Sequence, residues 1–316
     1  MTEFRAPYSL SPLLYGVAWK GDRTKELAST ALGLGFKGVD TANFPAAYSE
    51  PQTGEAISTA IDSGIKRENL FVSLFALFRL FSTKRKRLSH SRYKIQTKYT
   101  PRPAQRTNTI ITNRRQYIED QIKDSVTESL QHLRVDYLDA LILHVPFERE
   151  EDNYVAWNIL ESFVPHTVRC LGISNTSLPV LEAIHKIANV KPAIVQNRFH
   201  KETSFDHEIR GFCKAHSILY QAFGVLKSNS ELLASKVVAS VAERLRIEKE
   251  LALYVLVLCL GDIQILDGTT QPQRMRDDLK ITTEIFTDQK RSIELDSTVR
   301  IFKNFLADLA AKNLNA

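Results

Sequence analysis

Residues 137–144, YLDALILH, form a short apolar run of β type that ends in a histidine. Runs of the same kind recur downstream as CLGISN (170–175), AIVQNRF (193–199), ILYQAFGVL (218–226) and IQILDG (263–268), with helical segments between them. Upstream, LLYGVAW (13–19) precedes a helical stretch from Thr24 to Leu34, and GVDTA (38–42) precedes one from about Gln52 to Ser63. LFVS (70–73), resumed as IQTKY (95–99), supplies a further strand, and its helix is expected from Tyr117 to Leu133. Apolar runs alternating with amphipathic stretches are the pattern of βαβ units on a parallel sheet. Eight such units in about 300 residues fit a closed (β/α)₈ TIM barrel of class α/β better than an open doubly wound sheet. Since no linker interrupts the series, residues 1–316 are expected to form a single domain.

In such a barrel, chemistry gathers at the C-terminal ends of the strands. Asp40, Lys98, His144, Ser174, Asn175, Gln196 and Phe223 all fall at or just beyond those ends. Each has a plain structural reading alone: His144 a hydrogen-bonded core histidine, Lys98 a solvated charge, Tyr48 a loop aromatic, and Asp40 a turn or helix-start residue. Their shared position at one end of the predicted sheet favours a site.

The totals narrow the class. At 43% hydrophobic and 25% charged residues the composition is that of a water-soluble globular chain with a sizeable core. Cys170, Cys213 and Cys259 are odd in number and lack CxxC spacing, so neither a disulfide framework nor a zinc site is indicated and a reducing compartment fits. The start MTEFRAPYSLSPLLYG has no basic-then-apolar leader and no stretch has the length of a membrane span, so the chain is expected in the cytoplasm, away from membranes. Metal-assisted barrel chemistry at His144 and His200 finds no HExxH or close histidine pair in support.

The net charge of +6 has a local source: residues 74–94 hold seven basic side chains (Arg79, Lys84, Arg85, Lys86, Arg87, Arg92 and Lys94) and no acid. Without those seven the formal charge falls to −1, so no broad basic face for nucleic acid is expected. This insertion, LFALFRLFSTKRKRLSHSRYK, interrupts the third strand between LFVS and IQTKY. A functional surface excursion, a nuclear-targeting or nucleic-acid patch and non-native sequence such as a translated intron compete; the abrupt change of composition inside a strand favours the last. Sequencing the transcript across codons 70–98 tests this, and a continuous spliced message that encodes the segment would rule it out.

GVDTANFPAAYSEPQTGEAI (38–57), QTKYTP (96–101), YLDALILHVPF (137–147), VRCLGISN (168–175), VQNRF (195–199) and GTTQPQRMRDDL (268–279) resemble, in order and spacing, the landmarks of the aldo-keto reductase superfamily. The resemblance runs from about Tyr15 to Leu279, excluding the basic segment, and is nearest to fungal members with a longer gap between aspartate and tyrosine. It implies reduction of aldehydes and ketones to alcohols by NADPH without a metal. Tyr48 would be the general acid, Lys98 the cation that lowers its pKa from about 10, Asp40 the anchor of that cation, and His144 the group that orients the carbonyl.

The resemblance also implies that Ser174, Asn175 and Gln196 bind the nicotinamide carboxamide and that Phe223 lies against the ring. Leu226 and Asn229 would approach the pyrophosphate, Arg274 the adenosine phosphate and Asp278 the adenine. Trp19 and Phe147 are expected in the substrate pocket. Asp267 stands where many members carry a lysine for the 2′-phosphate, which leaves NADH open as cofactor, although Arg274 and Arg276 favour NADPH. The expected partner is a small aldehyde or ketone and the expected state a monomer or weak dimer; the competing reading is a cofactor-binding regulatory or inactive homologue.

Overall fold

A computed structural model describes residues 11–65, 94–101, 113–287 and 289–314. LFVS and the basic stretch from residue 74 lie outside the described residues, up to Lys94 where the third strand opens. In chain order the strands are β1 (Leu13–Gly16), β2 (Gly38–Asp40), β3 (Lys94–Tyr99), β4 (Leu138–Leu143), β5 (Val168–Ser174), β6 (Ile194–Arg198), β7 (Leu219–Phe223) and β8 (Ile263–Asp267). They follow one another in that order in a closed barrel, and the paired strands run parallel, giving the fold class α/β with a (β/α)₈ TIM barrel. The chain divides into two compact units, Tyr15–Val195 and the combination of Met1–Leu14 with Gln196–Ala316. Among the described residues no helix is long and apolar enough to cross a membrane.

In the first unit the strands are buried on both faces, as all six residues of β4 are, because helices cover a parallel barrel sheet outside and side chains fill it inside. Asp139 escapes the penalty of an apolar strand by accepting the Ile95 N–H at 2.9 Å, which ties β4 to β3. Helix α1 (Thr24–Leu34) buries Leu27, Ala28, Ala31 and Leu32, a one-sided stripe of helical period. It stops at Gly35, whose φ of 113° only glycine adopts without strain and whose N–H turns back to the Leu32 carbonyl.

Helix α2 (Glu50–Asp62) begins two residues before the expected Gln52, with Pro51 in its first turn, where a missing N–H costs nothing. Helix α3 (Arg114–Leu133) begins three residues before the expected Tyr117, because the Asn113 side chain accepts the Gln116 N–H at 3.1 Å and caps it. α2 and α3 meet at Gly54, where a Cβ would stand 2.0 Å from the His132 carbonyl oxygen, so no larger residue fits this crossing. Helices α4 (Glu150–Glu161) and α5 (Leu178–Ile187) complete this unit's outer layer.

The second unit contains β6 from Gln196 onward, β7 and β8 with α6 (His207–Ala215), α7 (Ser230–Leu233), α8 (Lys236–Leu245), α9 (Lys249–Leu258), α10 (Pro272–Thr287) and α11 (Gln289–Leu314). Its sheet carries an amide ladder: Gln196 Nε2 donates to Gln221 Oε1 at 2.9 Å, and Gln221 Nε2 to Gln264 Oε1 at 2.8 Å. Gln264 Nε2 then donates to the Ser11 carbonyl at 2.7 Å. Buried amides chained in this way satisfy one another's polar atoms.

Candidate active site

Asp40 closes β2 and Lys98 is the penultimate residue of β3, two positions beyond Gln96 and therefore on the same face of the strand. Register places Asp40 beside Gln96, and two donors converge on its carboxylate. Gln96 Nε2 reaches Oδ1 at 2.6 Å and Lys98 Nζ reaches Oδ2 at 2.7 Å. Lys98 Nζ also donates to the Thr41 carbonyl at 2.8 Å. Asp40 and Lys98 are each 1% exposed, so the ion pair is sealed from water. Burial pulls the Lys98 pKa down, but Asp40 and the neighbouring Tyr48 oxygen draw it up and prevail, keeping the ammonium charged.

Tyr48 arrives from the loop between β2 and α2. Its N–H and that of Ala47 both donate to the Phe44 carbonyl at 3.0 Å, coiling residues 44–48 into a tight turn. Asn43 fixes the start of that turn by donating Nδ2 to Glu128 Oε2 on α3 at 2.9 Å. The turn sets the Tyr48 ring 4.9 Å from Lys98 Nζ. Burial raises the Tyr48 pKa above its ordinary value, and Lys98 opposes that rise without overcoming it. Lys98 therefore acts in the expected direction, but burial outweighs it in the free protein.

His144 follows β4 directly, and its ring meets both Tyr48 and Phe44 edge-on at centroid distances of 6.1 Å. Its Nδ1 lies 2.8 Å from Thr100 Oγ1. Burial first, and then Lys98, lower its pKa to about 4, so the imidazole is neutral at neutral pH. Asn175, left-handed at φ 52° just past β5, donates Nδ2 to the His144 carbonyl at 2.9 Å and to Ser174 Oγ at 3.1 Å. Asp40, Tyr48, Lys98, His144, Ser174 and Asn175 thus belong to one linked group within the first unit.

Trp19 lies in the loop after β1 and Phe147 in that after β4. Trp19 lines a cavity of about 580 Å³ together with Asp22, Phe44, Tyr48, Glu50 and His132; Phe147 is absent from that lining. Phe147 instead exchanges backbone hydrogen bonds with the Asn153 side chain, at 2.8 and 3.0 Å.

The remaining expected residues lie in the second unit. Gln196 is 2% exposed in the amide ladder, and Phe223 ends β7 with the Arg198 guanidinium 5.5 Å from its ring. Leu226 is half-buried in the following loop. Asn229 spends its Nδ2 on the Phe199 and Val225 carbonyls, at 2.6 and 2.9 Å, which braces that loop. Arg274 is exposed, 3.9 Å from Glu250. Asp267 is 1% exposed and accepts the Thr269 N–H at 2.9 Å, with the Tyr254 hydroxyl at 3.5 Å. Burial and the charge of Asp267 raise the Asp278 pKa to about 8.

Phe44, Glu50, Gln96 and Thr100 escaped the sequence reading. Glu50 is 3% exposed and accepts from Thr97 Oγ1, from Ser129 Oγ at 2.9 and 3.1 Å and from His132 Nδ1 at 3.4 Å. One carboxyl, two residues after Tyr48, so joins α2 to α3 and to the strand that carries Lys98. An acid at a helix start was its only visible signal, and it reads equally as dipole complementarity.

The fold and the rim define a (β/α)₈ barrel with an aspartate, a lysine, a tyrosine and a histidine gathered at or just beyond the ends of β2, β3 and β4. The model of the Aldo/keto reductase family matches residues 18–238, and the chain belongs to that family. Among curated relatives, glyoxal reductase of Bacillus subtilis is 26% identical over 226 residues, covering 71% of this chain and 65% of that protein. Glycerol 2-dehydrogenase (NADP(+)) of Hypocrea jecorina is 25% identical over 252 residues, covering 72% and 65%. The chain spans 62% of the length of the Xenopus tropicalis aldo-keto reductase family 1 member A1, with 24% identity. Among solved structures, an aldo-keto reductase of the silkworm Bombyx mori superposes with a TM-score of 0.68 at 18% identity, over 98% of this chain and 88% of that one, a likeness of fold.

Among the described residues no group of three or more histidine, cysteine, aspartate or glutamate side chains is placed to hold a metal. Cys170, Cys213 and Cys259 are all buried and free, and burial pushes the Cys213 and Cys259 thiols up to about 12, which makes them poor nucleophiles.

Proposed function

We propose that the protein, acting as one barrel over residues 1–316, reduces aldehyde or ketone carbonyls to alcohols with a nicotinamide dinucleotide, NADPH by preference. The observation that carries this reading is the sealed Lys98 ammonium, anchored by Asp40 at 2.7 Å and facing the Tyr48 ring. A preorganised cation beside a phenol stabilises the phenolate left after proton transfer.

The nicotinamide, when bound, supplies the hydride. Two atoms at the rim suit its carboxamide: with Asn175 Nδ2 spent on the His144 carbonyl and the Ser174 oxygen, the Asn175 Oδ1 and the Ser174 hydroxyl hydrogen offer one acceptor and one donor. Phe223 adds an aromatic face, Leu226 and Asn229 a braced loop for the pyrophosphate, and Gln196 a carboxamide contact.

Tyr48 gives its proton to the developing alkoxide, and Lys98 bears the charge left on the phenolate. His144 is neutral; in the tautomer whose Nδ1 accepts from the Thr100 hydroxyl 2.8 Å away, the ring proton sits on Nε2 as a donor to the carbonyl oxygen. General acid catalysis of this kind contributes about 10²- to 10⁴-fold.

At the adenosine end Arg274 favours a 2′-phosphate, while Asp267 and, once ionised, Asp278 oppose it. The Asp278 pKa of about 8 adds a negative charge as pH rises through that value. Titration by cofactor fluorescence is expected to show NADPH binding that weakens between about pH 7 and 9 while NADH binding holds. An unchanged ratio of the two across that range would remove Asp278 from this site. Binding of either cofactor without oxidation by an aromatic aldehyde would favour the regulatory reading over the enzymatic one.

A further inference from the structure

The cavity of about 580 Å³ beside Tyr48 is walled by the loops after β1 and β2, and its two kinds of wall bear on the substrate. One wall is apolar and aromatic. Trp19 adopts φ 60°, a costly conformation for so large a residue, and is held there by its N–H donating to the Ala47 carbonyl at 2.7 Å. The residue is 76% exposed. Phe44, 38% exposed, lines the same cavity from the turn that carries Tyr48 and meets the His144 ring edge-on. Two accessible aromatic side chains thus line the cavity together with the proton donor Tyr48.

The other wall is polar and acidic. Asp22, Glu50 and His132 line it, and no lysine or arginine does among the described residues. His132 points its Nδ1 at Glu50, 3.4 Å away, and the Glu50 oxygens are occupied by Thr97 and Ser129. A carboxylate or phosphate that entered would shed its hydration, find no lysine or arginine among the described lining residues and meet the Asp22 and Glu50 carboxyls.

We propose, resting on the reductase reading above, that this cavity holds the non-reacting part of the substrate, and that the substrate is an uncharged or cationic carbonyl compound with a flat apolar group. Carbonyl compounds that carry a carboxylate or phosphate near the reacting carbon are excluded.

The chain contains two tryptophans, and Trp157 is fully buried with its Nε1 donating to the Val190 carbonyl at 3.1 Å. Emission changes on ligand binding in the cavity therefore belong to Trp19, with Trp19→Phe as the blank. The full-length protein is titrated with benzyl alcohol, benzyltrimethylammonium and benzoate, excited at the red edge of tryptophan absorption. The alcohol and the cation are expected to perturb Trp19 saturably, and benzoate only at concentrations about tenfold higher or more. Phe44→Ala should weaken the alcohol, and Asp22→Lys should bring benzoate within about threefold of it.

Benzoate binding as tightly as benzyl alcohol, or no saturable response to any of the three, overturns the proposal. Turnover of benzaldehyde against 4-carboxybenzaldehyde forms a second arm. Absence of all turnover would count against the reductase reading alone, since the order of the three binding constants is read without it.

Discussion

Replacing Lys98 with methionine is expected to cut turnover by about 10²- to 10³-fold, the scale for loss of one preorganised electrostatic donor, and to destabilise the fold by about 3–5 kcal/mol. Both effects come from the same two oxygens. With the ammonium gone, the Asp40 carboxylate remains 1% exposed beside the neutral Gln96 amide, so a buried charge loses the Lys98 counter-ion. A second substitution separates the consequences. Asp40→Asn with Lys98→Met removes the orphaned charge and should recover much of the lost stability, because a buried pair replaced by neutral groups costs far less than a pair broken on one side. Turnover should not recover, since the phenolate still lacks its cation. Denaturant midpoints and single-turnover rates of the three proteins decide the matter. Wild-type turnover in Lys98→Met would take that residue out of the chemistry, and an unchanged midpoint would show that the pair does not hold the folded state.

The parts legible in the sequence are those that short-range rules govern. YLDALILH announces a strand buried on both faces, and every residue of β4 is buried, because the two-residue period and the apolar run act locally. The α1 span of Thr24–Leu34 agrees with expectation for the same reason, with Gly35 as its stop. α2 and α3 start two and three residues early because a proline in the first turn and an asparagine cap extend a helix beyond its apolar stripe. Asp40, Lys98 and His144 were visible through their places at strand ends. Tyr48 sits in a loop, where no period marks it, and only the likeness to known members singled it out. Glu50 and Gln96 were hidden because their meaning lies in partners distant in sequence: Gln96 binds Asp40 across 56 residues, and Glu50 binds Ser129 across 79. The balance at Tyr48 was hidden too, since a charge opposed by burial can be weighed only when burial is known.

Replacing Tyr48 with phenylalanine is expected to abolish turnover, by about 10²-fold or more, while cofactor binding stays within about twofold. The ring face toward Lys98 and the edge contact with His144 survive that change, so packing is kept and only the proton donor is removed. The pH dependence of the unmodified protein supplies an independent check through two groups whose shifts run in opposite senses. Protonation of His144 would turn Nδ1 into a second donor, reverse its contact with the Thr100 hydroxyl and put a charge beside Lys98, and its pKa of about 4 puts the acid limb of kcat/KM near that value rather than near the ordinary histidine range. Tyr48 must hold its proton, and burial raises its pKa, so the alkaline limb lies above the ordinary tyrosine value. The profile of the free enzyme is therefore broad and flat through neutrality. His144 also links the profile to stability: below the ordinary histidine pKa the unfolded chain takes up a proton that the folded one refuses, so its contribution is complete above about pH 6.5 and is lost as pH falls toward 4. A rate that fell steeply between about pH 6 and 7 would mean an imidazole that titrates in water, and with it a rim far more open than the one formed by Phe44, Tyr48 and Thr100.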